Sequence, residues 1–491
     1  MLKFKPSIIW GVFVFFTFLV LLAVRLELFT DNSQQRSFIP SPLSIHRSAE
    51  TTWMNIYQKN RKIGVIQREF IGLETGGFQT KENITMQINT LGTTQLLHIE
   101  NETYLNEDMS LSSFEFNLGS SLFRFNARGL VTGDKLVVLS GIPSSQHRSE
   151  IPIEDIPFIS GNIYEAAFVF GLEKDSARDF NIFDPSTLGI RSVKVFREAD
   201  EVIPIMGRRV LTQKFCVDFM GIKNCAWLST DGEVLKETGF MGLSMEKVSA
   251  EKAKEGISVD ASVDFARLAS IPSNTRLDRP EKLTQLKIKI DGISEQHFAL
   301  HGGRQRFSEG ILTVTKEKLP PDESVQEASG AIKHFLLSSP LVQSDHALIK
   351  AQANKIIHPG DTPRQKMQKV VAWVYKNIEK IPVISVPNAL EVLRNKVGDC
   401  NEHAVLTAAL LRAAGIPAQI ETGLVYQDGR FYYHAWNTAY AGKWVSADSV
   451  FNQIPADVTH LRLVRGEGSE QLDLLGVIGR IELEVLSTKY D

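Results

Sequence analysis

From Ile8 to Val24 the chain reads IIWGVFVFFTFLVLLAV with no charge, preceded by Lys3 and Lys5 and closed by Arg25. About 17 residues rising roughly 1.5 Å each span about 26 Å, close to the thickness of a hydrocarbon core. A run that is apolar on every face and sits at the terminus does not read as a core helix. A cleaved signal peptide and an uncleaved anchor remain. No small-x-small cleavage site follows, only AVRLELFTD, so residues 1–26 are read as a single transmembrane anchor. The preceding lysines predict a cytoplasmic N-terminus. In a chain of bacterial style this places the rest beyond the inner (plasma) membrane, in the periplasm or outside the cell, an oxidising space.

Residues 27–50 are polar, with prolines and serines, and read as a tether. Over 51–250 the pattern becomes alternation: TTWMNIYQ, GVIQREFIGL, TKENITMQI, LLHIENETYL and SSFEFNL each place apolar residues on one side and polar ones on the other. A large, mostly antiparallel β domain with one wetted face follows, which resembles the curved half-barrels of periplasmic bacterial proteins. Residues 251–281 are charged and poor in aromatics, a linker or surface helix. LTQLKIKIDG and ILTVTKE form strands of a small β module at 282–325. The period then turns helical, opening a domain at 326–470, and 471–491 is a last strand segment. No repeat or low-complexity block is present.

Composition narrows the function classes. The 491 residues carry 54 Lys+Arg against 57 Asp+Glu, a net charge of -3, with no long basic run, so nucleic acid is not an expected partner. Three cysteines are too few for a disulfide scaffold or a four-cysteine zinc site. Histidines are scattered without metal-ligand spacing, and no calcium loop or phosphate cradle is found, so no cofactor or metal is expected. In a hairpin turning at Met220-Gly221, Cys216 and Cys225 face each other at a spacing that a disulfide can close. Two buried, apolar cysteines are the alternative.

The third cysteine lies in ALEVLRNKVGDCNEHAVLTAALLRAAGIPAQI, residues 389–420. Asp399 and Glu402 read as a capping box that starts a helix ending at Gly415, with Pro417 beyond. The body of that helix is apolar nearly all round, which predicts burial. Cys400 falls in its first turn, where exposed N–H groups and the helix dipole favour a thiolate. A lone cysteine is otherwise an inert core residue. Three strand-like runs follow: AQIETGLVY, FYYHAWNTAY and KWVSAD. His434 sits in the second and Asp448 ends the third. A two-residue turn at Ala441-Gly442 sends Asp448 to the wrong face, whereas a three-residue turn, Tyr440-Ala441-Gly442, sets it directly opposite His434. His403 and Glu402 read more simply as packing and capping residues. Tyr432, Tyr433, Trp436 and Trp444 read as core before cleft, and Asn452 and Gln453 have little support as site residues.

A Cys–His–Asp order, with the nucleophile at a helix start and the base and its orienter on adjacent strands, is the logic of papain-like acyl transfer. GDCNEHAVLTAALLRAAGIPA, YYHAW and WVSADSVFNQ together resemble the core of the transglutaminase-like superfamily of cysteine enzymes, over roughly residues 340–465. The resemblance implies an α+β domain with the helix packed on an antiparallel sheet, Cys400 as nucleophile, His434 as general base and acid, and Asp448 as the orienting carboxylate. It also implies a protein or peptide amide substrate and a thioester intermediate. Hydrolysis, as a peptidase or deamidase, is favoured over crosslinking. Ser449 stands where the family often has proline, and no upstream tryptophan is assigned as an oxyanion donor. A catalytically silent binding or scaffold module of the envelope is the alternative. A cell-wall peptidase of another papain-like lineage would need a wall-binding module, which the sequence lacks.

Overall fold

The computed structural model describes residues 50–491 apart from 91, 122, 142–145, 220–221, 240–241, 258–263, 294, 296–297, 323–329, 384, 468–473 and 475–476. The anchor expected at 1–26 and the tether, save its last residue, lie outside the described residues. Among the described residues, no helix is long and apolar enough to cross a membrane.

Alternation produces the first sheet. In Arg124–Thr132 and Thr93–Leu105 every second residue is buried over most of the strand, the pattern of a sheet with one face on a core. Sixteen strands from Glu50 to Val248 join in this way, mostly as sequential hairpins, and the first strand (Glu50–Gln58) pairs with the last (Leu243–Val248). The pairs are antiparallel except where Phe158–Ile159 meets Ser176–Asp184. A short helix, Ile163–Val169, is buried at every residue. Cys216 and Cys225 are register partners and form a disulfide; the turn expected at Met220-Gly221 lies outside the described residues.

The stretch read as a linker or surface helix contains short packed elements. Helix Phe265–Ala269 buries Phe265, Ala266 and Ala269, and Ile271–Pro272 adds a short edge to the C-terminal sheet through Ile271 and Phe431. Leu283–Asp291 forms the centre of a four-stranded sheet with Gln305–Ser308, Ile311–Thr315 and Glu482–Tyr490. The end of the chain therefore returns to complete the small module.

The C-terminal α+β unit packs helix Cys400–Ala413 on a sheet of Ile271–Pro272, Arg430–Tyr440, Ala418–Gln427 and Leu461–Arg465, with Trp444–Ala447 also pairing with Arg430–Tyr440. Every residue of that helix from Cys400 to Arg412 is buried, as its unbroken apolar face requires. Helices Ala347–Ile356, Pro363–Asn377 and Ala389–Asn395 pack against it.

Candidate active site

Local sequence sets the start of the cysteine helix. Asp399 Oδ1 accepts the Asn401 N–H at 3.1 Å, and Glu402 Oε2 accepts the Asp399 N–H at 3.0 Å, closing the capping box. Gly398 makes this closure possible, because a Cβ there would lie 2.3 Å from Glu402 Cβ. Ser385 bonds to Glu402, and Gln95 of the first sheet donates to the Pro382 carbonyl at 2.8 Å. Pro382 is thus tied to the first sheet and Ser385 to the turn that carries Cys400. Cys400 itself is 1% exposed.

The register differs from the expected one. Tyr440 pairs with Trp444 and Asn437 with Ala447, so the three-residue turn is Ala441–Lys443, with Gly442 at φ 90° in its middle. Asp448 is therefore displaced by two positions from the residue facing His434. An even displacement keeps side chains on the same face, and a diagonal neighbour is still within reach. His434 Nε2 accordingly lies 2.6 Å from Asp448 Oδ2. Asp448 sits just past the strand, in a turn closed by reciprocal backbone bonds with Gln453 (2.9 and 3.0 Å). Its Oδ1 accepts the N–H groups of Val450 (2.6 Å) and Phe451 (3.2 Å). Ser449, in place of the family's frequent proline, ties this turn to the helix: its hydroxyl accepts from Thr407 at 2.8 Å and donates to the His403 carbonyl at 3.4 Å.

The electrostatics correct a second expectation. Burial pushes the Cys400 thiol well above its ordinary value, and the neighbouring Asp399 carboxyl adds to this; the Ala435 backbone N–H, one residue beyond His434, opposes it by bonding to the sulfur. The helix start does not prevail against desolvation. Burial also lowers His434 against the pull of Asp448. Burial alone would raise Asp448, but His434 and His460 hold it well below the usual carboxylate range. Asp399 is raised well above its ordinary value by burial and by Glu402 beside it. His403 is fully buried, bonded through Nδ1 to the Asp399 carbonyl at 2.6 Å, and burial lowers it to about 4.

Tyr433 and Trp436 are core residues, and Trp436 Nε1 donates to buried Glu421 at 2.9 Å. Gln453 closes the aspartate turn and donates to Asp457 at 3.0 Å. Sequence reasoning missed His460, whose Nε2 lies 2.9 Å from Asp448 Oδ2 and whose Nδ1 lies 3.2 Å from Asp457 Oδ1. The Asp-x-x-His spacing of Asp457 and His460 was the available signal. Ligand atoms of His434, Asp448 and His460 lie within 4.8 Å of one another. With both carboxylates ionised, each His460 nitrogen carries a proton, which leaves that ring no lone pair for a cation. A similar group of Glu198, Cys216 and Cys225 has its sulfurs in the disulfide. A cavity of about 400 Å³ touches the site through Phe451 and Asp457, and Phe451 lies 5.3 Å from the His434 ring. A groove of about 600 Å³ lies on the first sheet, lined by Tyr104, Arg128 and Leu130 among others, and contains none of these groups.

A buried cysteine at a helix start faces a sheet that carries a buried histidine and its carboxylate partner. Residues 350–449 match the family model of the transglutaminase-like superfamily, so the chain carries a transglutaminase-like domain. That match takes in Cys400, His434 and Asp448 and ends before Asp457 and His460. No curated protein matches the sequence. Solved structures similar to parts of the chain include a candidate cysteine protease from Cytophaga hutchinsonii, 17% identical over 43% of this chain and 85% of that one, TM-score 0.28. A β-barrel-like protein of a domain of unknown function from Brucella abortus is 15% identical over 41% and 98%, TM-score 0.31. A candidate protease from Parabacteroides distasonis is 11% identical over 68% and 63%, TM-score 0.18. Likenesses this slight carry no argument, and the functional reading rests on the site.

Proposed function

We propose that the chain is a membrane-anchored, extracytoplasmic cysteine enzyme that acts on protein or peptide amides through a thioester on Cys400, with hydrolysis favoured over crosslinking. The observation that carries this reading is the buried 2.6 Å bond between His434 Nε2 and Asp448 Oδ2, on the strand whose next residue, Ala435, bonds the Cys400 sulfur. An ionised Asp448 can only accept, so Nε2 of neutral His434 holds the proton and Nδ1 is the nitrogen that takes the thiol proton. Cys400 then attacks the amide carbonyl. The Cys400 backbone N–H, at the start of its helix, serves the oxyanion. His434 returns the proton to the leaving amine, and water releases the acid from the thioester. The Cys216–Cys225 disulfide supports an oxidising compartment, and the apolar run Ile8–Val24 supports the anchor.

The near-complete burial of Cys400 favours the second reading, a silent scaffold module. A thiol-directed probe on the purified protein, compared with C400A and H434A, separates the two. Labelling of Cys400 that H434A suppresses is expected of the enzyme; labelling indifferent to His434, or none at all, leaves the scaffold. Incorporation of a fluorescent primary amine into protein would identify crosslinking instead of hydrolysis.

A further inference from the structure

Two histidines share one carboxylate oxygen. His434 Nε2 at 2.6 Å and His460 Nε2 at 2.9 Å both meet Asp448 Oδ2, and the far nitrogen of His460 meets Asp457 Oδ1 at 3.2 Å. His434, Asp448 and His460 are fully buried, and the Asp457 side chain is 9% exposed. Ionised carboxylates accept and never donate. His460, set between two of them, must therefore donate from both ring nitrogens, which makes it an imidazolium. Removing that cation would leave two buried carboxylates without their shared counter-charge, a costly arrangement.

The clamp is built, not incidental. Asp457 accepts from the Thr459 N–H at 2.9 Å and from Gln453 at 3.0 Å. Arg304 of the small β module donates to the His460 carbonyl at 3.0 Å, and the His460 ring packs edge-on against Trp436, 5.2 Å between centroids.

We propose that His460, held between Asp448 and Asp457, is a positioning residue for the Cys400–His434 reaction: a buried cation that fixes the Asp448 carboxylate and keeps it from taking the His434 proton. The inference rests on the function proposed above. The charged and titratable groups around His434 are Asp448, His460 and Asp457 from the turns beyond its hairpin, Cys400 and His403 with Asp399 and Glu402 from the helix and its cap, and Lys380 from the short strand Glu379–Lys380. Among these, His460 is a cation whose ring lies 5.5 Å from that of His434. It disfavours a second proton on His434, so His434 stays a competent base to lower pH. Burial works against this charge, yet the two carboxylates raise His460 to about 9.

With Cys216 and Cys225 bridged, Cys400 is the remaining cysteine of three, so its alkylation by iodoacetamide can be followed against pH without interference. In H460Q an N–H donor survives but the cation is lost, and the acid limb of the rate profile should move up by about one pH unit. In H460L both are lost, and the rate should also fall on the order of a hundredfold as His434 loses its orientation. In D457N, which strips His460 of its second carboxylate, the His460 ring should give up its proton at a lower pH than in wild type. Imidazole nitrogen NMR of the wild-type protein should show both His460 nitrogens protonated at pH 8, a readout that needs no variant to fold. An H460Q profile that coincides with wild type, or a neutral His460 at pH 7, overturns the role. H434A keeps the two proposals apart. A limb that H434A moves and H460Q leaves in place refutes His460 alone; a limb that H434A leaves at the wild-type position refutes the enzyme reading beneath it.

Discussion

His403 and His460 are both shut away from water, yet their partners differ in kind. A backbone carbonyl bonds His403, and burial lowers it to about 4; two carboxylates bond His460 and raise it to about 9. Each makes folding depend on pH, with opposite sign. His460 prefers its proton in the folded protein, so its contribution is whole below the ordinary histidine value near 6.5 and is lost as pH rises through 9. His403 refuses a proton when folded, so its contribution is present above about 6.5 and is lost as pH falls toward 4. Denaturant unfolding at pH 6.5 and pH 9.5 should show wild type losing a part on the order of 3 kcal/mol that H460Q does not lose. Equal losses in the two proteins would mean that His460 is not charged in the fold.

Between elements, a close approach depends on a missing side chain. Gly423 in Ala418–Gln427 lies against the strand Leu461–Arg465, where a Cβ would come 2.0 Å from the Leu461 carbonyl oxygen and 2.8 Å from the Leu463 nitrogen. Both are backbone atoms, so an alanine must push the strand away. The residue before that strand is His460, and Gly423 is itself the register partner of His434. Gly423→Ala is expected to cost about 2 kcal/mol and to slow His434-dependent labelling of Cys400. A thermal melt and a labelling rate both matching wild type would show that the strand yields without disturbing the site. The capping box at this scale was legible in advance because Asp399 and Glu402 are three residues apart. The hairpin register was not, because it turned on which three residues formed the loop.

At the scale of the molecule, the regions outside the transglutaminase-like domain hold its parts in place. The small module grips the segment after Asp448 through Arg304 and through Gln305, whose Nε2 donates to the Arg462 carbonyl at 3.0 Å. Glu317 accepts the Ser446 N–H at 3.1 Å. The first sheet reaches the segment before the Cys400 helix through Gln95, which donates to the Pro382 carbonyl. Breaking that bond frees a segment that Ser385 ties to Glu402 in the first turn of the Cys400 helix. Gln95→Ala should therefore alkylate at Cys400 several-fold faster than wild type, with the fold intact by circular dichroism. An unchanged rate would place the barrier to Cys400 elsewhere.

Much of this was readable before any tertiary contact was known. Alternation marked the strands, the apolar helix announced its own burial, and Asp399 to Glu402 marked where that helix begins, since each of these signals lies within a few residues of chain. Cys400, His434 and Asp448 stood out for the same reason, each in a short motif. Folding alone determined the rest. It paired the last strand with Leu283–Asp291 across some two hundred residues. It reversed the thiol's expected acidity by burying it, and it carried His460 back onto Asp448 through the turns of 448–460. Burial and chain reversal are properties of the packed molecule, and a linear pattern holds no record of which distant group will end beside a charge.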